Sequence, residues 1–358
     1  MSKSEKLKVI LFGCGRVAQH YAKIFNTFLS ADPIEVLGVF DQDSLKAAVI
    51  AKELSCKVFA TIEDIFLDKP NLALILTPSG LHEEHSRLFL LRGIAVLSEK
   101  PIGLRVPLVE QNIELANSNG VSYGVVFQNR LNPAMQFAKD RVTKQKIGRI
   151  VSASVRLRWC RYQSYYDDGW HGTWRMDGGV TNQQAIHHVD GLRWLIGEPA
   201  ELFAIGRKQV NFLEAEDTLV AAGVSAQGVP FTIEATTAAR PIDHEASITL
   251  TGDRGFLSVG GVALNELTAY SSQDDQDVDL SDYSEAVQTG YGVSHFRVMR
   301  SLAKTYSETG RVEPQVSAED GLKTTKFISW LYRSNERKQA VHCDSDNFSH
   351  NLGNSYGK

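Results

Sequence analysis

Three stretches of this chain carry side chains whose types and spacing can do chemistry. The first is Val9-Ile-Leu-Phe-Gly13-Cys14-Gly15-Arg16-Val17-Ala18, an apolar run, then G-x-G-x-x-A, then a helical period with Ala22, Phe25 and Leu29 on one face. In a strand–turn–helix, Gly13 permits the tight turn, Gly15 lets backbone amides approach a pyrophosphate, and Ala18 allows the helix to pack closely on the strand. Gly15, Arg16 and Val17 then open a helix whose N-terminal partial charge favours phosphate. An ordinary turn is the competing reading. Asp41 ends the next apolar run, 23 positions beyond Ala18. An acid there accepts hydrogen bonds from both adenosine ribose hydroxyls and repels a 2′-phosphate, so NAD is expected rather than NADP; a helix cap or turn residue is the alternative. The second stretch, 156–175, holds Arg156, Arg158, Arg161 and Arg175 among three tyrosines and three of the five tryptophans. Arginine captures phosphate or carboxylate bidentately and aromatic rings stack on sugars or bases. Arg158, Arg161 and Trp174 are thus candidate contacts to an anionic, polyhydroxylated substrate, although a partner interface has the same composition. The third stretch, Asp177–Asp190, carries Asn182, Gln183 and Gln184, amides suited to reading hydroxyls, ahead of His187 and His188. His188 would point about 100° away from His187 on a helix, which favours a packing role.

These residues need a framework to hold them. Over the first 125 residues short apolar runs alternate with helical stretches: Lys8–Phe12, Ile34–Phe40, Lys57–Phe59, Leu72–Leu76, Ala95–Ser98 and Ser122–Phe127 read as strands. That alternation predicts right-handed βαβ units and a parallel sheet. Beyond residue 128 a helical stretch, Arg130–Gln145, is followed by strand-like runs at 149–159, 199–208, 217–225, 230–239, 246–252 and 255–259, and only two long helical stretches interrupt or follow them, at 184–195 and 295–305. The fold class is therefore α/β, an N-terminal Rossmann domain (1–127) followed by an α+β domain with a mostly antiparallel open sheet (128–342). The polar tail, 343–358, is expected to fray. At 358 residues, 43% apolar and with a net charge of −4, the composition fits two ordinary domains and argues against nucleic acid as partner. No apolar run is long enough to span a membrane, and Val9–Phe12 is too short for a signal-peptide core. The four scattered cysteines form no CxxC pair, which fits a reducing cytoplasm and no zinc site.

The strand ends add Leu74-Ile-Leu-Thr77-Pro78-Ser79-Gly80-Leu81-His82 and Val96-Leu-Ser-Glu99-Lys100-Pro101. With the fingerprint and the glycine–histidine segment, these make an ordered set that resembles the glucose–fructose oxidoreductase/inositol dehydrogenase (Gfo/Idh/MocA) family from about residue 7 to 335. The resemblance implies that Thr77, Pro78, His82, Glu99 and Gln128 contact the cofactor, and that a cis peptide precedes Pro101. It also implies that Arg130, Asn182, Gln183, His187 and Asp190 contact the substrate, and that the protein forms homodimers or homotetramers. Lys100, at the C-terminal end of a parallel strand, can hydrogen-bond a sugar hydroxyl and stabilise charge as that carbon oxidises. His187 is the general acid/base that the alignment implies. The family commonly has an Asp at the position of Gln183, so the usual Asp–His pair cannot operate here. His82 serves equally well as a helix cap, and His82 with His85 lacks a third metal ligand at suitable spacing.

The expectation is therefore an NAD-dependent sugar oxidoreductase with Lys100 and His187 as catalytic residues and no metal. Residues 159–190 resemble the branch that oxidises the 3-hydroxyl of a UDP-linked N-acetylated sugar acid. A keto-sugar reductase or cyclitol dehydrogenase uses the same groups, and a non-catalytic dinucleotide- or sugar-binding regulator is the reading from a different class.

Overall fold

The computed structural model describes residues 5–274, 277–287, 289–344 and 346–354. They divide into two units, Met1–Gln128 with Val293–Leu322, and Asn129–Gly292 with Lys323–Lys358.

In the first unit the apolar runs become β1 (Leu7–Phe12), β2 (Ile34–Phe40), β3 (Lys57–Val58), β4 (Leu72–Ile75), β5 (Ala95–Ser98) and β6 (Tyr123–Val125). Between them lie α1 (Arg16–Phe28), α2 (Ser44–Leu54), α3 (Ile62–Leu67), α4 (His82–Leu90) and α5 (Val106–Ser118). All strand pairs are parallel, in the order β3-β2-β1-β4-β5-β6. β4 and β5 are buried along their whole length, as strands covered on both faces require. The order reverses between β1 and β4, and ligands of such sheets bind beyond the carboxyl ends of the strands at that reversal. Gly13, Asp41, Thr77 and Glu99-Lys100 each follow the end of β1, β2, β4 or β5 within two residues.

The second unit contains α6 (Pro133–Thr143), β7 (Ile150–Arg158), α7 (Val180–Gln183), α8 (Ile186–Ile196), β8 (Pro199–Arg207), β9 (Thr218–Ser225) and β10 (Pro230–Thr236). It continues with β11 (Glu245–Gly252), β12 (Gly255–Gly260) and β13 (Glu266–Ser272); after α9 (His295–Thr309) comes α10 (Ala318–Arg337), which enters the second unit at Lys323, and then β14 (Val341–His342). The strands form one eight-stranded sheet, β13-β12-β11-β7-β10-β9-β8-β14, antiparallel except for the parallel pair β7–β10. Helices cover one face: α8 lies against β7 and β11, α7 against β9 and β10, and α6 against β12 and β13. Leu157, Trp159, Val180, Ala185, Ala235 and Ala246 form a buried cluster beneath α7 and α8. The other face alternates outward, and its Phe203, Ile205 and Val220 are 40–52% exposed.

The observed organisation departs from the expected one in four places. α9 belongs to the first unit, not the second. The 20-residue α10 escapes an apolar-period reading because hydroxyl side chains, Thr324, Thr325, Ser329 and Ser334, fill much of its buried face. β13 was not expected either. The tail over 343–344 and 346–354 is held rather than frayed: Cys343 N–H donates to Ala200, Gly353 N–H donates to Trp174, amides 349–351 bond Ser329 and Glu336, and Leu352 is buried. Residues 355–358 lie outside the described residues.

Candidate active site

Gly13 sits at φ +106°, and a Cβ there would lie 2.8 Å from the Leu76 carbonyl carbon, so the turn from β1 to α1 requires glycine. Gly15 differs: a Cβ on it would meet no protein atom within 4 Å, and no side chain caps α1. The missing side chain leaves an open cradle at a helix N-terminus, which is what a pyrophosphate needs. Arg16 is exposed and Val17 half-buried beside it. The Asp41 carboxylate acts as the turn residue that the sequence allowed. Oδ2 accepts the Cys14 N–H at 2.7 Å and Oδ1 accepts the Asp43 N–H at 2.8 Å, which ties the fingerprint loop to the end of β2. The side chain stays half-buried, with lone pairs to spare. Asp43, not Asp41, caps α2. Burial, followed by the Asp41 charge, pushes the Cys14 thiol up to about 12, so this cysteine is a packing group rather than a nucleophile. These features fit a dinucleotide without a 2′-phosphate.

The loops after β4 and β5 are fastened together by His82. Its Nδ1 lies 2.6 Å from the Pro101 carbonyl oxygen and its Nε2 lies 2.7 Å from that of Thr77. Burial holds its pKa below the usual imidazole range against the pull of those two carbonyls. His82 is 1% exposed, and its ring lies between the two loops it joins. Thr77 Oγ1 bonds His85 Nδ1 at 2.9 Å. Glu83 supports the next loop by accepting the Leu104 and Arg105 N–H groups on Oε1. The Lys100–Pro101 peptide is cis, and Thr77, Pro78 and Lys100 are half-buried at the strand ends. Glu99 is turned into the unit: Oε1 accepts the Tyr21 hydroxyl at 2.9 Å and lies 3.3 Å from His295 Nε2, while Oε2 accepts the Lys100 N–H at 3.2 Å. Gln128 is buried, and its Oε1 has no protein partner, an acceptor that a bound molecule can satisfy.

In the second unit the histidine segment is two short helices, not one. The Gln184 and Ala185 N–H groups both return to the Val180 carbonyl, and His188 and Val189 donate to Ala185, so α8 restarts at Ile186. His187 is its second residue, half-buried like Gln183 at the end of α7. The orphan amides of α7 are met from outside: Glu216 Oε1 accepts Thr181 N–H at 3.1 Å and Thr181 Oγ1 at 2.8 Å, and the Tyr332 hydroxyl accepts Gly179 N–H at 2.9 Å while donating to Glu216 at 3.0 Å. Glu216 is fully buried with Oε2 unpartnered, and burial raises its pKa to about 7 despite those hydrogen bonds. Neither Glu216 nor Tyr332 belongs to a motif. His188 packs edge-on to Trp159 with neither ring nitrogen bonded, and burial lowers its pKa to about 3.

Several residues assigned to substrate from sequence are engaged elsewhere. Arg130 grips Asp190 bidentately at 2.7 and 2.6 Å, and Thr324 donates to the same carboxylate at 2.7 Å. Both members of that pair are more than nine-tenths buried, so it is a structural brace. Asn182 Nδ2 bonds the Asp177 carbonyl at 2.6 Å. Trp174 is buried edge-on to Tyr332, its Nε1 unpartnered. Arg158 forks onto Glu234 at 2.7 Å twice and reaches Glu245 at 3.0 Å, and Arg161 reaches Asp243 at 3.0 Å. Arg158 alternates with Leu157 of the buried cluster, so it points to the open face of the sheet, away from α8. Neighbouring carboxylates thus neutralise the local arginine excess. Arg175 is exposed with no ion pair among the described residues.

Comparison with known proteins agrees with this architecture. Residues 7–127 match the model of an oxidoreductase family, NAD-binding Rossmann fold (GFO_IDH_MocA), and residues 135–258 match the GFO/IDH/MocA C-terminal domain. The WlbA dehydrogenase of Chromobacterium violaceum, solved with NADH and UDP-GlcNAcA, is 29% identical with a TM-score of 0.87, over 96% of this chain and 97% of that one. The WlbA dehydrogenase of Bordetella pertussis, solved with the same two molecules, is 28% identical with a TM-score of 0.88, over 94% and 98%. Among curated proteins, the oxidoreductase YteT of Bacillus subtilis is 25% identical over 213 residues, 56% of this chain. The chain spans about half the length of the first curated relatives it matches, 49% of YteT.

Proposed function

The chain belongs to the GFO/IDH/MocA oxidoreductase family, with an NAD-binding Rossmann domain, and from that premise we propose that it oxidises a hydroxyl of a nucleotide-linked sugar. The observation that carries this reading is the set of strand-end groups, Gly13, Asp41, Thr77 and Lys100, gathered at the order reversal of one parallel sheet. Gly15 and the α1 N-terminus hold the pyrophosphate, Asp41 holds the adenosine ribose, and Thr77 and Pro78 bound the nicotinamide end. NAD supplies the hydride acceptor when bound. Lys100 Nζ takes the hydroxyl proton as the carbon is oxidised, and His187 is the second acid/base group. Gln183, which cannot titrate, reads a sugar hydroxyl instead of pairing with His187 as a carboxylate.

The substrate class rests on the two WlbA enzymes, each alike over at least 94% of this chain. Arg158 and Arg161 do not contribute to it, since Glu234, Glu245 and Asp243 occupy them. The open sheet face, with Phe203, Ile205 and Val220 exposed among the Arg158–Glu234–Glu245 ion pairs, supports self-association. No helix among the described residues is long and apolar enough to cross a membrane, and four unpaired cysteines favour a reducing compartment such as the cytoplasm.

A melting-temperature screen with NAD present tests the substrate class, because a ligand that binds only the native state stabilises it by mass action. UDP-linked N-acetylated sugars are expected to raise the melting point. Shifts with free sugars or cyclitols alone would contradict the reading.

A further inference from the structure

The strand end that carries Lys100 is backed by titratable groups outside every motif. Glu99 is 6% exposed. Its Oε1 is met by the Tyr21 hydroxyl from α1 and by Nε2 of His295, the first residue of α9. His295, 1% exposed, places Nδ1 3.2 Å from Nε2 of His20 on α1. The two imidazoles stand at 78° with centroids 4.8 Å apart, and Tyr21 lies edge-on to His295 at 5.3 Å. The remaining charged or titratable groups facing this cluster are Lys100 at the end of β5, Lys23 on α1 and His82 on α4.

A carboxylate at Glu99 only accepts, so His295 Nε2 carries a proton and donates it to Glu99, and His295 Nδ1 shares the second hydrogen bond with His20 Nε2. One polarised line runs from half-buried His20 through His295 to the carboxylate beside Lys100.

We propose that His295, backed by His20, is a positioning residue for Lys100: it keeps Glu99 ionised inside the unit, and that carboxylate sets the pH at which Lys100 gives up its proton. This rests on the reading of Lys100 as the group that handles the hydroxyl proton. Burial pushes the Glu99 carboxyl up, but bonding and charge from His295, then Lys100 and Tyr21, hold it down to about 2. Burial, followed by the charge of His295, lowers His20 to about 4, so His20 is neutral in the working range. Without His295 the buried Glu99 takes up a proton, the negative charge beside Lys100 disappears, and Lys100 deprotonates at lower pH.

The test is competitive acetylation of Lys100 across pH, read by mass spectrometry on the full chain, in the wild type, His295→Leu, His295→Gln and Tyr21→Phe. His295→Leu is expected to move the labelling midpoint of Lys100 down by about one pH unit or more. His295→Gln, which keeps an N–H for Glu99, should restore it, and Tyr21→Phe should shift it less but in the same direction. In turnover the same variants move the limb of the kcat/KM pH profile and leave the KM for NAD unchanged. A folded His295→Leu protein with an unmoved midpoint overturns the proposal, as does a Gln variant no closer to wild type than Leu; if His295→Leu does not fold, an unmoved Tyr21→Phe midpoint does so. A shifted midpoint in a protein that turns over no sugar contradicts the proposed function and leaves the coupling standing, whereas sugar turnover with an unmoved midpoint does the reverse.

Discussion

At the residue scale, a charged side chain's role is set by the partner that holds it: Asp190 grips Arg130, and Glu234 grips Arg158. Arg130, Arg158 and Asp190 were assigned to substrate, yet their partners lie 60 or more positions away, and no local pattern shows that Asp190 or Glu234 has already taken the guanidinium. Their roles lead to different expectations. Arg130→Met should leave Asp190 buried without its fork and destabilise the protein by about 3–5 kcal/mol, read by denaturant unfolding. Preserved stability with a raised substrate KM would return Arg130 to the substrate. Glu216 gives a pH-dependent prediction. Burial pushes its carboxyl up to about 7 from the ordinary 4.5, so the native state binds the extra proton between those values. Stability therefore falls as pH rises through that window, and the penalty is complete above about 7. Glu216→Gln, whose Oε1 can still accept from Thr181 and Tyr332, should match wild type below pH 4.5 and exceed it above pH 7 by on the order of 3 kcal/mol. A wild-type-minus-variant difference in melting temperature that does not change with pH would refute this.

At the element scale, the two fingerprint glycines separate folding from binding. Alanine at Gly13 meets the Leu76 backbone at a positive φ and should cost about 2–5 kcal/mol of stability. Alanine at Gly15 meets no protein atom, so the melting temperature should stay near wild type while the Kd for NAD rises about tenfold or more. Equal losses of stability would mean that Gly15 serves the fold and not the ligand. The strands of the first unit were legible because wholly buried parallel strands are continuous apolar runs. α10 was not, because buried Thr and Ser side chains break its apolar period. The break between α7 and α8 was equally hidden, since Glu216 and Tyr332 cap α7 from distant elements.

At the scale of the whole molecule, the chain passes from one unit to the other after Gln128, where the strand pattern of the sequence changes. The place of α9 in the first unit was not legible, because a helix that supplies His295 to Glu99, 196 positions earlier, leaves no local trace. The open face of the large sheet carries the proposed self-association. Sedimentation equilibrium is expected to give a dimer or tetramer, and Ile205→Glu, opposite Val220, to weaken it; a strict monomer would contradict the reading. The central claim, that Lys100 handles the proton of a sugar hydroxyl while NAD is reduced, is tested most directly by following NADH formation. The wild type and Lys100→Met would be compared with UDP-linked N-acetylated sugars, with NAD affinity measured alongside. The account predicts turnover by the wild type and a loss of about a hundredfold or more in the variant at unchanged NAD affinity. Full activity in Lys100→Met, or tight NAD binding by a wild type that oxidises no sugar, would contradict it.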